Sequence, residues 1–206
     1  MNRSLATVSA IAALALVGSA AQAEIKAGAP APEFQVVDST GKMRSLGEFK
    51  GLTVVLEWTN NGCPYVKKHY GAGNMQALQK KYTADGVVWL SVASSPQGEQ
   101  GYVTAEQANN DTKTRGAAPT AVLLDPGSKV SRAYDARNTP LMVVIDAKGT
   151  VAYYGAIDDK PSSNPADIPS AKNYVAQALD EIKSGKPVSV ATTRAYGCYV
   201  KYAPQS

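Results

Sequence analysis

Cysteine and histidine are scarce in this chain of 206 residues, which has two of the first and one of the second. A zinc site built from Cys63, Cys198 and His69 would need all three to converge, and their spacing carries no such signal, so no metal and no cofactor is expected. Basic runs are missing, and the formal charge is only +4. That argues against nucleic acid as a partner. There is no glycine-rich phosphate loop and no internal repeat, which removes the usual signatures of nucleotide binding and of solenoids. Long apolar runs are missing too. Ala6 to Val17 is short and alanine-rich, whereas a membrane anchor needs about 20 strongly apolar residues.

That stretch has another reading. Arg3 supplies a positive start, Ala6 to Val17 an apolar middle, and Ala21-Gln22-Ala23 a small-residue cleavage site before Glu24. Residues 1–23 are therefore expected to be a cleaved signal peptide. Residues 24–206 then form one domain with no membrane segment, long enough for a proper core, with a tail at 186–206 that carries Cys198. Export places the protein in a bacterial periplasm or outside the cell, where disulfides persist. With two cysteines, a structural disulfide, a redox-cycling pair and two independent thiols all stand open.

Along the chain, strands alternate with helices. Glu33 to Val37 and Met43 to Leu46 read as short strands around a turn. Leu52 to Trp58 and Val87 to Ala93 read as strands covered on both faces, being apolar without alternation. A helical pattern runs from Pro64 to Tyr82, with Gly71 and Gly73 marking a break. Thr104 to Arg115 and Ser128 to Tyr134 are further helices. Leu141 to Ile145 and Val151 to Tyr154 flank a hairpin turn at Asp146-Ala147-Lys148-Gly149. Pro161 to Pro169 reads as a polar loop, and Ala171 to Lys183 as a final helix stopped by Gly185. This order predicts an α/β fold, a three-layer sandwich around a mixed sheet.

The chain is organised around Trp58-Thr59-Asn60-Asn61-Gly62-Cys63-Pro64-Tyr65-Val66. Cys63 falls at a strand-to-helix turn, and Pro64 suits the first helical position. Free backbone N–H groups and the helix dipole favour thiolate there, and thiolate is the nucleophilic form. Lys67, four residues on, projects from roughly the same helix face and is read either as a support for the thiolate or as a solvated lysine. His69 faces away from Cys63 and is not taken as a base.

Three stretches resemble the thioredoxin-like superfamily: the strand leading to Cys63-Pro64-Tyr65-Val66, Asn138-Thr139-Pro140 before a hairpin, and Gly28-Ala29-Pro30-Ala31-Pro32-Glu33-Phe34. More narrowly, Gly155-Ala156-Ile157-Asp158-Asp159 and Gly197-Cys198-Tyr199-Val200-Lys201 are similar to a peroxiredoxin-like redoxin (AhpC/TSA) branch with one cysteine before Pro-Tyr-Val. The resemblance implies a cis bond at Pro140, facing Cys63. It implies attack by Cys63 on a peroxide or a protein disulfide, and an external thiol reductant. Cys198 would then be either the resolving thiol or the partner in a structural crosslink, with an inert distant thiol as a third outcome. Thr139, Pro140, Trp58, Asn60, Pro64 and Tyr65 would support the site, and Asn60 and Asn61 would donate hydrogen bonds beside Cys63. Asp158 and Asp159 would orient the C-terminal loop or contact solvent.

The departures narrow the chemistry. Val66 stands where thioredoxins place a second cysteine, so a local dithiol switch is impossible. Leu56, Asn60 and Pro140 replace the proline, threonine and arginine of true peroxiredoxins, and Arg137 is close only in sequence. A non-catalytic thioredoxin-fold binding or scaffold protein with a structural Cys63–Cys198 disulfide is the alternative to an enzyme.

Overall fold

A computed structural model describes residues 25–205. The signal-peptide reading for 1–23 lies outside them. The elements are β1 (Gln35–Val37), β2 (Met43–Ser45), β3 (Val54–Thr59), α1 (Pro64–Gly71), α2 (Asn74–Ala84), β4 (Val88–Ala93), α3 (Ala105–Thr114), β5 (Ala121–Leu124), α4 (Lys129–Ala133), β6 (Asn138–Thr139), β7 (Leu141–Ile145), β8 (Val151–Gly155), α5 (Tyr174–Lys183) and β9 (Cys198–Tyr199).

Five strands form one sheet in the order β5-β4-β3-β7-β8. β3, β4 and β5 run parallel, while β7 and β8 are antiparallel to their neighbours. The three central strands, β4, β3 and β7, are buried almost throughout, and the outer strands β5 and β8 alternate buried with half-buried residues. This matches the physics of a covered sheet: only strands with apolar residues on both faces can sit in its middle.

Successive side chains point to opposite faces, so the sheet divides its own core. Val54, Leu56 and Trp58 join Leu90, Val143, Phe34, Phe49, Val130 and Tyr134 on one side. Val55 joins Trp89, Met142 and Val144 on the other, under Met75, Leu78 and Tyr82 of α2 and Val175, Ala178 and Leu179 of α5. Each fully buried large side chain contributes about 1.5–3 kcal/mol. The three-layer mixed-sheet fold is thus present.

Boundaries differ from expectation in several elements, and three differences have a visible cause. Leu52 is 45% exposed and closes a turn onto Phe49, so β3 starts at Val54. The final helix starts at Tyr174, because the Asn173 side chain accepts from the Ala176 N–H and caps it there. Within the expected polar loop, Pro165–Ser170 winds into a 3₁₀ turn capped by Asn164. β5 was not expected, although Ala121 to Leu124 is a short apolar run that ends at the turn residues Asp125-Pro126-Gly127. It forms because β4 offers it a parallel edge.

Register places the site. β3 and β7 are antiparallel neighbours with Trp58 opposite Leu141, so the turn that leaves β3 lies beside the segment that enters β7. From α5 the tail returns past β8, where the Thr193 hydroxyl meets the Ala156 N–H at 2.9 Å and the Tyr153 hydroxyl at 2.6 Å. Gly155 has φ +153, and a Cβ on it would lie 2.5 Å from the Thr193 carbonyl oxygen. Gly155→Ala is therefore expected to lower unfolding stability by about 1–3 kcal/mol, the usual cost of overpacking. Urea denaturation followed by tryptophan fluorescence checks this, and an unchanged midpoint would contradict the packing described.

Candidate active site

Asn60 shapes the turn after β3. Its carbonyl accepts from the Cys63 N–H at 3.0 Å, and its side-chain oxygen accepts from the Gly62 N–H at 2.8 Å. Cys63 follows with extended backbone, φ −75 and ψ 124, as the cap of α1, and its carbonyl accepts from the Lys67 N–H at 2.9 Å. The Cys63 side chain has no accessible surface. Its Sγ lies 3.2 Å from the Thr139 carbonyl oxygen, and the Thr139–Pro140 peptide is cis, as the resemblance implied.

Thr139 also carries the second cysteine. β9 pairs antiparallel with β6, setting Cys198 opposite Thr139 and Tyr199 opposite Asn138. The Asn138 amide donates to the Gly197 carbonyl at 3.1 Å, and the Val200 N–H to the Arg137 carbonyl at 2.9 Å. This pairing needs a bare glycine. Gly197 has φ +120, and a Cβ there would sit 2.1 Å from the Thr139 carbonyl oxygen. Both cysteines are free thiols in this structure.

The two thiols push each other's ionisation apart. Burial raises the Cys63 pKa, but donors outweigh it: the Cys198 thiol, the Val66 and Cys198 N–H groups and the Thr139 hydroxyl. The Thr139 carbonyl contact favours the protonated form, yet the donors prevail and the pKa falls below its ordinary value. Cys198 is pushed up to about 11, by burial first and then by the hydrogen bond and charge of Cys63. Cys63 is therefore the more readily ionised thiol of the two, and Cys198 the one that holds its proton more firmly.

An ordinary thiol has a pKa of about 8.5 and is only a few per cent thiolate at neutral pH. With the Cys63 pKa lowered, its thiolate absorbance is expected to persist below that midpoint on acidification, while Cys198 ionises only near about 11. Cys198→Ala removes the thiol that is the largest of these donors and is expected to move the Cys63 midpoint upward. Ultraviolet titration of the reduced protein checks both.

Other expected supports find different work. Trp58 is core, its indole N–H donating to the Ser131 hydroxyl at 2.9 Å. Asn60 and Asn61 do not donate to Cys63. The Asn60 amide reaches the Gln100 carbonyl at 3.2 Å, and Asn61 bonds Asp111 while accepting from Arg115. The turn geometry points both amides toward the 100–115 segment. Lys67 is exposed, so its solvated reading holds. Pro64 is exposed, and Tyr65 lies against the Tyr196 ring, 5.8 Å between centroids. Arg137 pairs with Asp135 in solvent.

Two buried polar groups escaped the sequence reading. Glu57, on the α2 side of β3, receives donors from Trp89 (2.7 Å), Tyr70 (2.7 Å), Gln79 (3.0 Å) and Ser91 (3.2 Å), while burial raises its pKa. A carboxylate inside an apolar strand was the available signal. Lys68 is the second, a lysine with a fully buried side chain next to Asp158. Among the described residues, no three His, Cys, Asp or Glu side chains group as metal ligands, and no helix is long and apolar enough to cross a membrane.

No curated protein matches the sequence. Among solved structures, an uncharacterized conserved protein from Geobacillus kaustophilus superposes with TM-score 0.74 at 25% identity, over 87% of this chain and 94% of that one. A hypothetical protein from Sinorhizobium meliloti gives 0.72 at 23% identity, over 89% and 98%. The peroxidoxin BcpB of Mycobacterium tuberculosis gives 0.55 at 17% identity, over 78% and 98%, and shares the fold. The AhpC/TSA family model matches residues 27–154, the stretch that holds the central sheet up to Tyr154 in its last strand, Cys63 and the cis-Pro140 loop. This chain belongs to the AhpC/TSA family of thioredoxin-like redoxins, and its chemistry is that of a thiol oxidoreductase or peroxidase.

Proposed function

We propose that this protein is an exported, peroxiredoxin-like thiol oxidoreductase in which Cys63 is the nucleophile and Cys198 the resolving cysteine. The observation that carries this reading is the meeting of both thiols at Thr139 with opposite ionisation shifts. An inert, distant Cys198 does not fit that arrangement.

With a peroxide, the Cys63 thiolate attacks one oxygen, the O–O bond breaks, and the alkoxide or hydroxide leaves with a proton from solvent. Cys63 becomes a sulfenic acid. Cys198 then attacks that sulfur; an S–S bond forms, the S–OH bond breaks, and hydroxide leaves as water with the Cys198 proton. With a protein disulfide, Cys63 forms a mixed disulfide and Cys198 displaces the second substrate thiol. Either way an external dithiol reduces the Cys63–Cys198 bond and is itself oxidised. Burial is the main cause that raises the Cys198 pKa, and oxidation of Cys63 removes the smaller contributions of its hydrogen bond and charge, which eases ionisation of the resolving thiol after the first step.

Because Cys63 has no accessible surface beneath the docked tail, substrate entry requires β9 to lift from β6. Residues 1–23 support export to the periplasm or beyond, and the following residues support one domain. An oxidising compartment suits a protein that cycles through a disulfide.

Cys63→Ser is expected to lower peroxide- or disulfide-dependent turnover roughly a thousandfold or more, as loss of a nucleophile does. Cys198→Ser should keep the first oxidation but accumulate a sulfenic acid that dimedone traps. Non-reducing peptide mapping of oxidised wild type should find the Cys63–Cys198 bond. If that bond is absent, the resolving role is wrong. A bond that resists dithiol reductants in the folded protein would instead mark a structural crosslink.

A further inference from the structure

Behind the nucleophile lies a buried polar cluster that the chemistry above does not use. The Lys68, His69 and Asp158 side chains are 0%, 0% and 1% exposed. Lys68 Nζ lies 2.9 Å from the Lys160 carbonyl oxygen and 3.6 Å from Asp158 Oδ2. Asp158 Oδ1 accepts from the Lys160 N–H at 3.0 Å and from the Tyr196 hydroxyl. The Asn74 amide donates to His69 Nδ1 at 2.9 Å, so the ring proton belongs on Nε2, which faces the Tyr196 oxygen at 3.3 Å. The cluster therefore has a direction: His69 donates to Tyr196, and Tyr196 donates to Asp158.

Its placement couples it to the thiols. α1 carries Cys63 at its start and Lys68 and His69 in its last turn. Tyr196 is separated from Cys198 only by Gly197, which has no side chain and lies against the Thr139 carbonyl. The pairing with β6 holds Cys198 on one side of this glycine, and Tyr196 anchors the tail on the other, one residue away. The Tyr65 ring, 5.8 Å away, and the Lys68 ammonium, 5.7 Å away, pack on the Tyr196 ring. The hydroxyl bonds to Asp158 and His69 fix where the far end of that ring sits.

We propose that the Tyr196 hydroxyl, gripped by Asp158 and His69, is the positioning group for Cys198 and sets the rate at which an oxidised Cys63 is closed into the internal disulfide. A weaker grip leaves the oxidised sulfur to outside thiols. The proposal rests on the reading of Cys198 as the resolving cysteine.

The test compares Tyr196→Phe with wild type after oxidation of Cys63 by equimolar hydrogen peroxide, with acid-quenched mass analysis following closure. Closure is expected to slow roughly tenfold or more, the size of one lost hydrogen bond to a charged group. In a Cys198→Ser background, with no redox step, Tyr196→Phe should raise the alkylation rate of Cys63 by a similar factor, because the tail opens more often. Asp158→Asn, which keeps an acceptor but removes the charge, should shift both rates the same way. Ile145→Val, a core truncation away from the tail, should lose comparable stability and change neither rate. Closure and alkylation within twofold of wild type in Tyr196→Phe, or the same changes in Ile145→Val, would overturn the proposal. If wild type closes no disulfide, the resolving reading fails, while the alkylation arm still decides whether Tyr196 holds the tail.

Discussion

Much of the molecule's chemistry depends on the backbone of one residue, Thr139. Its carbonyl contacts the Cys63 sulfur, its strand pairing receives Cys198, and the cis peptide that follows it turns the chain into β7. Two thiols at opposite ends of the domain reach each other because both bind the same short segment. The antiparallel pairing of β3 with β7 makes that possible by holding the exit of one strand beside the entrance of the other.

Placing a thiolate in a fully buried position carries a desolvation cost, and the site meets it with donors rather than with a cation. Lys67 points to solvent, and Lys68 is committed to Asp158 and a backbone carbonyl. The compensating groups are the thiol and N–H of Cys198, the Val66 N–H at the start of α1 and the Thr139 hydroxyl. The same contact that lowers one thiol's pKa raises the other's, so a single arrangement sorts nucleophile from proton holder. In the proposed cycle it also favours one order of steps, because part of the constraint on Cys198 is removed once Cys63 is oxidised.

The tail is built into the fold along its length. Thr193 bonds to β8, Val200 is buried, and the Tyr202 hydroxyl donates to the Ala136 carbonyl at 2.8 Å. Between these anchors, Tyr196 enters a buried cluster and Cys198 covers the nucleophile. Buried ion pairs such as Lys68–Asp158 are a poor source of stability, since desolvation offsets the attraction, and are better suited to fixing one geometry among several. The tail thus combines firm ends with a middle whose position depends on a few directional bonds.

Local pattern made much of this legible in advance. Apolar runs without alternation marked β3 and β4 as covered on both faces, the break at Gly71 and Gly73 separated α1 from α2, and Cys63 before Pro64 marked a thiol at a helix start. Each of these follows from residues within a few positions of one another. What the sequence could not decide was convergence. Asn60 and Asn61 looked like partners for Cys63 by proximity but turned toward Gln100 and Asp111, while Lys68, which drew no reading, His69, read only as facing away from Cys63, and Asp158, read as orienting the C-terminal loop or contacting solvent, came together in the interior with Tyr196 of the tail. Side-chain direction after a turn and pairing between distant segments depend on strand register and helix docking. Those are set by the whole core, so only the tertiary structure brings Cys198 to Cys63.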